Sequence, residues 1–160
     1  MAESRTGILF VCMGNICRSP TAEGVMRKLL QDRALAHAFE LDSAGTHAYH
    51  VGEPPDDRAI AAARRRGIDL SDQRARRVEV ADFERFDYVL AMDADNLQRL
   101  RDMQPESCRA NVRLLLDFST EDPGGAVPDP YYGGAAGFER VLDLLEEANQ
   151  ALIERLIVKS

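Results

Sequence analysis

The chain has 160 residues, of which 45% are hydrophobic and 29% are charged, with a formal net charge of −7. This composition excludes a disordered chain, and the acidic balance argues against a general binder of nucleic acids or membrane surfaces, which needs a basic face. The length suits one domain with a single core. No apolar run has the length of a membrane-spanning helix or the flanks of a signal peptide, and three cysteines without disulfide spacing indicate a reducing, cytoplasmic compartment.

The first half of the chain alternates predicted strands and helices. The short apolar runs Gly7–Cys12 and Phe39–Ser43 predict buried strands, with a helix from about Ser19 to Leu35 between them. A second helix is predicted in PPDDRAIAAARRRG, residues 54–67. Prolines and acids stand at its start, arginines at its end and a glycine after it, as the polarity of a helix favours.

The second half continues the alternation. Strands are predicted at Phe86–Met92 and Val112–Leu116, a helix is expected to begin near Asp93, and residues 137–158 carry one apolar stripe typical of a helix. The pattern predicts a three-layer α/β/α sandwich with a central four-stranded parallel sheet. Residues 119–137 are rich in glycine and proline and predict a long functional loop.

The turn after the first strand is the predicted site, because ligands of such sheets bind at the carboxyl ends of the strands. Its sequence is CMGNICRS, residues 12–19. Backbone amides at the start of the following helix form an anion cradle, and its positive end stabilises a thiolate at Cys12, which makes that sulfur a nucleophile. The alternative interpretation of Cys12 is a small buried core residue.

The neighbours of Cys12 favour the nucleophile. The guanidinium of Arg18 can hold two oxygens of a tetrahedral oxyanion at once. Ser19 can donate its hydroxyl to the Cys12 sulfur, while Gly14 and Asn15 suit unusual backbone dihedrals, including the left-handed region. The turn is therefore interpreted as a phosphate-binding loop with a nucleophile at its base.

The segment CMGNICRS resembles the phosphate-binding signature of the low-molecular-weight protein tyrosine phosphatases. The segments DSAGT at 42–46, FDYVLAMD at 86–93 and DPYYGG at 129–134 match the family in its order, so the resemblance covers almost the entire chain. It implies one phosphatase domain over residues 1–160. That domain would hydrolyse phosphotyrosine and small aryl phosphates through a phosphocysteine intermediate, with no cofactor and no metal.

The resemblance also assigns the remaining site residues. Asp129 is expected to be the general acid, although an aspartate before Pro130 is also common in turns. Tyr49, Tyr131 and Tyr132 are expected to wall an aromatic slot, with ordinary surface packing as the alternative. The residues expected to bind phosphate or support the loop are Met13, Gly14, Asn15, Ile16, Cys17, Ser19 and Ser43.

Four residues have more specific expectations. Ile16 favours phosphotyrosine, because relatives acting on phosphoarginine tend to carry threonine there, and Ser43 is expected to hydrogen-bond Asn15. Asp93 is either the N-cap of its helix or a support of the site. Relatives often have a histidine where this chain has Gln73, so no histidine is expected to support this loop.

Cysteines and cations outside the signature have simpler interpretations. Cys17 is either a small residue beneath the loop or a partner that protects oxidised Cys12 as a disulfide, and Cys108 is expected to have no catalytic role. Surface positions are expected for three histidines, His37, His47 and His50. Helix-end or solvated positions are favoured for the arginines Arg64, Arg65, Arg66, Arg74, Arg76 and Arg77, with guidance of an acidic phosphopeptide as the alternative.

Three other functions remain as alternatives. A thioredoxin-coupled arsenate reductase shares the fold but needs two further cysteines in the second half, where this chain has only Cys108. A cysteine–histidine hydrolase would leave Arg18 unexplained, and a non-catalytic phosphotyrosine- or phosphate-binding module would not need Cys12. The expected partner is a phosphotyrosine-containing protein, a tyrosine kinase being one candidate, with no nucleic acid and no membrane insertion. The chain itself is expected to be a monomer or a weak homodimer.

Overall fold

A single four-stranded parallel sheet forms the centre of the molecule. The computed structural model describes residues 5–121, 123–130 and 134–159, with only the backbone of 158 and 159. The strands are β1 (Thr6–Cys12), β2 (Phe39–Gly45), β3 (Tyr88–Ala91) and β4 (Asn111–Leu114). Their order across the sheet is β2-β1-β3-β4, and all three pairings are parallel. The predicted sheet is confirmed.

The helices lie between the strands and after the last one. Their bounds are α1 (Arg18–Asp32), α2 (Asp57–Arg64), α3 (Asp82–Arg85), α4 (Ala94–Met103) and α5 (Gly134–Lys159). Short 3₁₀ helices occupy Ala36–Ala38 and Leu115–Phe118. Among the residues described, no helix is both long enough and apolar enough to cross a membrane.

Several predicted boundaries differ from the structure, and one short helix was not predicted. The last strand ends at Leu114 rather than Leu116, because the chain turns into a 3₁₀ helix whose Leu115, Leu116 and Phe118 are buried. Burial in a turn therefore produced the same apolar pattern as a strand. Helix α5 begins at Gly134, so it includes the last four residues of the segment predicted as a loop. The one-turn helix α3 was not predicted.

The sheet buries both of its faces, as a three-layer sandwich requires. Side chains alternate along β1, so Ile8 and Phe10 pack into the cluster formed with α1, α2 and α5. Leu9 and Val11 face the opposite cluster, which contains residues of α3 and α4. The sheet therefore lies between the two helical layers.

The strand order also places the site. The chain leaves β1 for β2 on one side and later returns to β3 on the other side of β1. In parallel sheets such a reversal opens a crevice between the carboxyl ends of the two central strands. Cys12 ends β1, and Asp93 follows β3 at the same edge of the sheet.

Candidate active site

The phosphate loop, residues 12–18, joins β1 to α1 and holds Cys12 at its base. The side chain of Cys12 is buried, and its Sγ accepts a hydrogen bond from the backbone N–H of Asn15 at 3.3 Å. The Oγ of Ser19 lies 3.0 Å from the same sulfur. The sulfur thus has two hydrogen-bond partners, one on the loop backbone and one at the start of α1.

Ser19 is oriented by its own donors and acceptors. Its Oγ accepts a hydrogen bond from Asn15 Nδ2 at 2.8 Å, so its single proton remains available. The Cys12 sulfur at 3.0 Å is a nearer acceptor for that proton than the carbonyl of Ala44 at 3.4 Å. We therefore assign Ser19 as the donor to Cys12.

Asn15 holds the loop in a strained conformation. Its φ is 60°, in the left-handed region that few non-glycine residues adopt, and its side chain is buried. Its Nδ2 donates to Ser19 and to Ser43 at 2.9 Å, the hydrogen bond expected from the family resemblance. Its Oδ1 accepts from the backbone N–H of Arg76 at 2.9 Å. These hydrogen bonds satisfy the buried amide and offset the backbone strain.

Gly14 has a different role from the one predicted. It does not have a positive φ. A Cβ at this position would instead lie 3.0 Å from Cδ2 of His50, tighter than ordinary contact. The glycine is therefore explained by the close approach of His50 and not by backbone conformation.

Arg18 is a buried cation fixed by two acceptors. Its Nη1 donates to Asp93 Oδ2 at 2.7 Å and to the carbonyl of Val127 at 3.1 Å. Burial opposes the charge of Arg18. The negative charges of Cys12 and Asp93 outweigh it and raise the pKa of Arg18 above its ordinary value. The guanidinium therefore stays charged and oriented at the site.

Asp93 performs both of the roles that the sequence left open. One carboxylate oxygen caps α4 by accepting from the N–H of Asn96 at 2.8 Å, while the other pairs with Arg18. The loop that contains Val127 and Asp129 is anchored at the same edge of the sheet, because the N–H of Val127 donates to the carbonyl of Met92 at 2.8 Å. Asp129 follows two residues later, so this anchor brings its carboxylate to the site.

A cavity of about 380 Å³ opens over the phosphate loop. Its lining brings together the predicted nucleophile Cys12, the predicted oxyanion-binding Arg18 and the predicted general acid Asp129. The other lining residues are Met13, Gly14, Ile16, Cys17 and His50. Its size suits a small aromatic ligand. Among the described residues, no group of three or more His, Cys, Asp or Glu side chains is arranged to hold a metal ion.

The aromatic slot is described only in part. Tyr131 and Tyr132 lie outside the described residues. Tyr49 is 71% exposed and stacks on His47, with ring centroids 5.1 Å apart, and it is not part of the cavity lining. Met13 is also exposed and does line the cavity.

His50 is a cavity residue that the sequence did not reveal. It was expected on the surface, but its ring lies against Gly14 and lines the cavity. Its Nδ1 lies 2.5 Å from a carboxylate oxygen of Glu53. The only sequence signal was its position four residues after DSAGT, which did not distinguish it from His47.

Cys17 lies at the start of α1 and borders the cavity. Burial, followed by the negative charges of Asp56 and Cys12, raises the pKa of the Cys17 thiol to about 12. The thiol is therefore almost entirely protonated at neutral pH, and its thiolate is scarce. Its protective disulfide with Cys12 stays a prediction.

Gln73 takes part in the support of the loop. Its Oε1 accepts from Ser43 Oγ at 3.3 Å, and its Nε2 donates to the carbonyl of Pro20 at 3.0 Å. The neutral side-chain amide of Gln73 therefore joins β2 to α1, and it contacts the same Ser43 hydroxyl that accepts from Asn15. This position contributes hydrogen bonds without contributing charge.

The solvated position favoured for Arg76 is wrong. Its guanidinium pairs with Asp42 at 3.1 Å and with Asp82 at 3.0 Å. The chain-distant carboxylates that fix it could not be identified from local sequence, because residues 42 and 76 are brought together only by the fold.

The family follows from comparison with known proteins. The family model described as "Low molecular weight phosphotyrosine protein phosphatase" matches residues 7–160. The chain belongs to this family. Members of this low molecular weight phosphatase family are cysteine-dependent phosphatases, in agreement with the buried thiol at the base of the loop.

Individual relatives of this phosphatase span almost its whole length. The human low molecular weight phosphotyrosine protein phosphatase is 40% identical over 158 residues, covering 97% of this chain and 99% of the relative. The Streptomyces coelicolor low molecular weight protein-tyrosine-phosphatase is 46% identical over 149 residues, covering 91% and 90%. A solved protein tyrosine phosphatase from Entamoeba histolytica, with Hepes in its active site, has a TM-score of 0.91 at 44% identity, covering 96% and 98%.

Proposed function

We propose that this protein tyrosine phosphatase hydrolyses phosphotyrosine by transferring the phosphoryl group to Cys12, and that residues 1–160 act as one phosphatase domain. The observation that carries the proposal is one cavity lined by Cys12, Arg18 and Asp129. These residues combine a nucleophile, a fixed cation for the oxyanion and a carboxyl group able to protonate a leaving group.

In the first step the Cys12 thiolate attacks phosphorus in line with the phenolic oxygen. The S–P bond forms as the P–O bond to the aromatic ring breaks. Arg18 and the amides of the phosphate loop hold the three equatorial oxygens, whose negative charge they stabilise more strongly as the transition state forms. Asp129, protonated at this stage, gives its proton to the departing phenolate.

In the second step water hydrolyses the phosphocysteine. Asp129, now ionised, accepts a proton from the attacking water, and Cys12 leaves as a thiolate. The hydroxyl of Ser19, 3.0 Å from the sulfur, stabilises the developing negative charge. Inorganic phosphate is released and the starting ionisation states are restored.

Phosphotyrosine is the proposed substrate class, carried by a phosphoprotein. Ile16 and Met13 give the cavity apolar walls that suit an aromatic ring rather than a polar side chain. A solved Drosophila arginine phosphatase shares this fold at 31% identity, with a TM-score of 0.86. Turnover of a phosphotyrosine peptide well above that of a matched phosphoarginine peptide supports the assignment.

We also propose a compartment, a class of partner and an oligomeric state for this phosphatase. The reaction requires Cys12 as a reduced thiolate, which the cytoplasm maintains. A tyrosine kinase is a suitable phosphoprotein partner, and a monomer or a weak homodimer is sufficient, because every proposed catalytic residue lies in one chain.

Two alternative enzymes are disfavoured by geometry. An arsenate reductase would need cysteines that relay a disulfide to Cys12, yet Cys108 precedes the amino end of β4, at the opposite edge of the sheet. A cysteine–histidine hydrolase would need a histidine on the nucleophile. The groups hydrogen-bonded to Cys12 are Ser19 and Asn15 instead.

Rapid-quench mass spectrometry during turnover of an aryl phosphate tests the proposal. We expect a phosphoryl group on Cys12 in the wild-type protein. The Cys12→Ser variant should neither hydrolyse the aryl phosphate nor accumulate the intermediate, but should still bind inorganic phosphate in calorimetry. Wild-type protein that binds phosphate without turnover would identify a non-catalytic binding module, and turnover without a modified Cys12 would refute the covalent mechanism.

A further inference from the structure

We propose that Arg76 and Asp82, which lie outside the cavity lining, form a positioning pair that holds the phosphate loop in its anion-binding shape through Asn15. The inference rests on the proposed function, since it assumes that the loop binds a phosphoryl group. Neither residue touches the reacting atoms; both act through the backbone of residue 76.

The pair has the geometry of a rigid anchor. Nη1 and Nη2 of Arg76 each donate to a different oxygen of Asp82 at 3.0 Å, and Nε donates to Asp42 at 3.1 Å. The Asp82 side chain is 5% exposed, and the N–H of Glu79 also donates to it at 2.8 Å. A two-pronged pair with a third ionic contact fixes the plane of the guanidinium, and with it the position of the residue that carries it.

The anchored backbone faces the loop. The N–H of Arg76 donates to Asn15 Oδ1 at 2.9 Å, while its carbonyl accepts from the N–H of Gly45 at 2.8 Å. Residue 76 is thus held on one side by the end of β2 and on the other by its own side chain. The backbone N–H of Arg76 is therefore held in a fixed position, from which it donates to Asn15.

Loss of the hydrogen bond from the Arg76 N–H would destabilise Asn15 more than an ordinary loop residue. Its left-handed backbone is unfavourable, and its Oδ1 is buried, so displacement of the Arg76 N–H would leave a buried acceptor without its donor. The N–H of Asn15 is also a donor to Cys12. Loosening Arg76 should therefore reach the nucleophile through a single intervening residue.

The chain provides a matched control for this effect. Arg85 and Glu40 form a second ion pair between α3 and β2, 57% and 37% exposed. Glu40 pairs in register with Gly7 near the amino end of β1, at the far end of the strands from the phosphate loop. Removing this pair alters α3 and β2, the elements that carry the two partners of Arg76, Asp82 and Asp42, without involving Asn15.

The experiment compares wild type, Asp82→Asn, Arg76→Lys and the control Glu40→Gln. The readouts are competitive inhibition of aryl phosphate hydrolysis by inorganic phosphate and hydrogen exchange of the Asn15 side-chain amide by NMR, both well below the melting temperature. In Asp82→Asn and Arg76→Lys we expect weaker phosphate inhibition by about tenfold, a lower kcat and faster Asn15 exchange. Glu40→Gln should stay within about twofold of wild type in each readout.

The outcomes separate this inference from the proposed function. If the wild-type protein neither hydrolyses an aryl phosphate nor binds inorganic phosphate, the proposed function is refuted. The positioning role is overturned if the wild type is active and folded Asp82→Asn keeps wild-type phosphate inhibition and wild-type Asn15 exchange. This holds even if the melting temperature of Asp82→Asn falls. If Asp82→Asn does not fold, Arg76→Lys decides by the same criterion, because lysine keeps a charge opposite Asp82 but loses the two-pronged geometry and the Nε contact with Asp42.

Discussion

Gly45 at the end of β2 lies directly against the backbone of Met13 in the phosphate loop. A Cβ on Gly45 would stand 2.8 Å from the Met13 carbonyl oxygen, a separation that real side chains essentially never adopt. Gly45 also hydrogen-bonds through its N–H to the carbonyl of Arg76. The glycine of the DSAGT segment thus allows three backbone segments to meet beneath the site.

Gly45→Ala should therefore displace the loop as well as destabilise the fold. We expect a loss of about 1–3 kcal/mol in the free energy of unfolding, together with weaker phosphate inhibition. Gly7→Ala is the control, because its Cβ would be 3.1 Å from Phe86 at the opposite end of β1. Urea unfolding and phosphate inhibition of both variants measure the effect. Equal phosphate affinity in the two variants would contradict it.

Asp93→Asn should separate the two roles of Asp93. Asparagine is also a good N-cap, so the free energy of unfolding should change by less than about 1 kcal/mol, while the ion pair with Arg18 is lost. The misplaced guanidinium should lower kcat/KM for an aryl phosphate by about 10- to 100-fold. Asp93→Ala should lose the cap as well and be less stable. Unchanged kcat/KM in Asp93→Asn would show that Val127 alone orients Arg18.

Asp129→Asn should slow the reaction in proportion to how poor the leaving group is. Without a proton donor, we expect a loss of about 10²- to 10⁴-fold in kcat for phenyl phosphate and a much smaller loss for p-nitrophenyl phosphate. A series of substituted phenyl phosphates measures this dependence. Glu121→Gln, which removes another carboxylate from the same segment outside the cavity lining, is the control. An equal loss for every leaving group would remove the general-acid assignment.

Cys17→Ala should abolish the recovery of activity after oxidation. Peroxide converts the Cys12 thiolate to a sulfenic acid, and attack by Cys17 expels water and forms a disulfide that added dithiothreitol reduces. Attack requires the Cys17 thiolate, and its pKa of about 12 makes that form scarce at neutral pH, so trapping should be slow. Since over-oxidation depends on peroxide concentration and trapping does not, the recoverable fraction should fall as peroxide is increased.

Activity assays before and after dithiothreitol measure that fraction. Cys108→Ala should behave as wild type, because Cys108 lies near the carbonyl of Ala110 at the other edge of the sheet. Recovery in Cys17→Ala equal to wild type would exclude the protective disulfide.

Local patterns were sufficient to predict the four strands, four of the five helices and the phosphate loop, although several boundaries shifted. The apolar run of β1 and the apolar stripe of α5 predicted buried segments correctly, because periodicity depends on neighbouring residues alone. Leu115 and Leu116, the first two residues of a 3₁₀ helix, were assigned to the preceding strand, since buried residues give the same apolar pattern in both. Asp93 was predicted to be a helix cap or a support of the site, but its ion pair with Arg18 was not predicted, because it joins residues far apart in the chain.

The sequence by itself determined the family and was sufficient to propose Cys12 as the nucleophile and Arg18 as the oxyanion-binding residue, because the cysteine-to-arginine spacing and the order of four segments are properties of the chain. Only the tertiary structure decided how the loop is held. The loop contacts Gly45, His50 and the backbone of Arg76, and Asp82 holds the Arg76 side chain. These residues belong to separate segments whose approach depends on strand order and crossover, and no local pattern records a contact between residues that far apart.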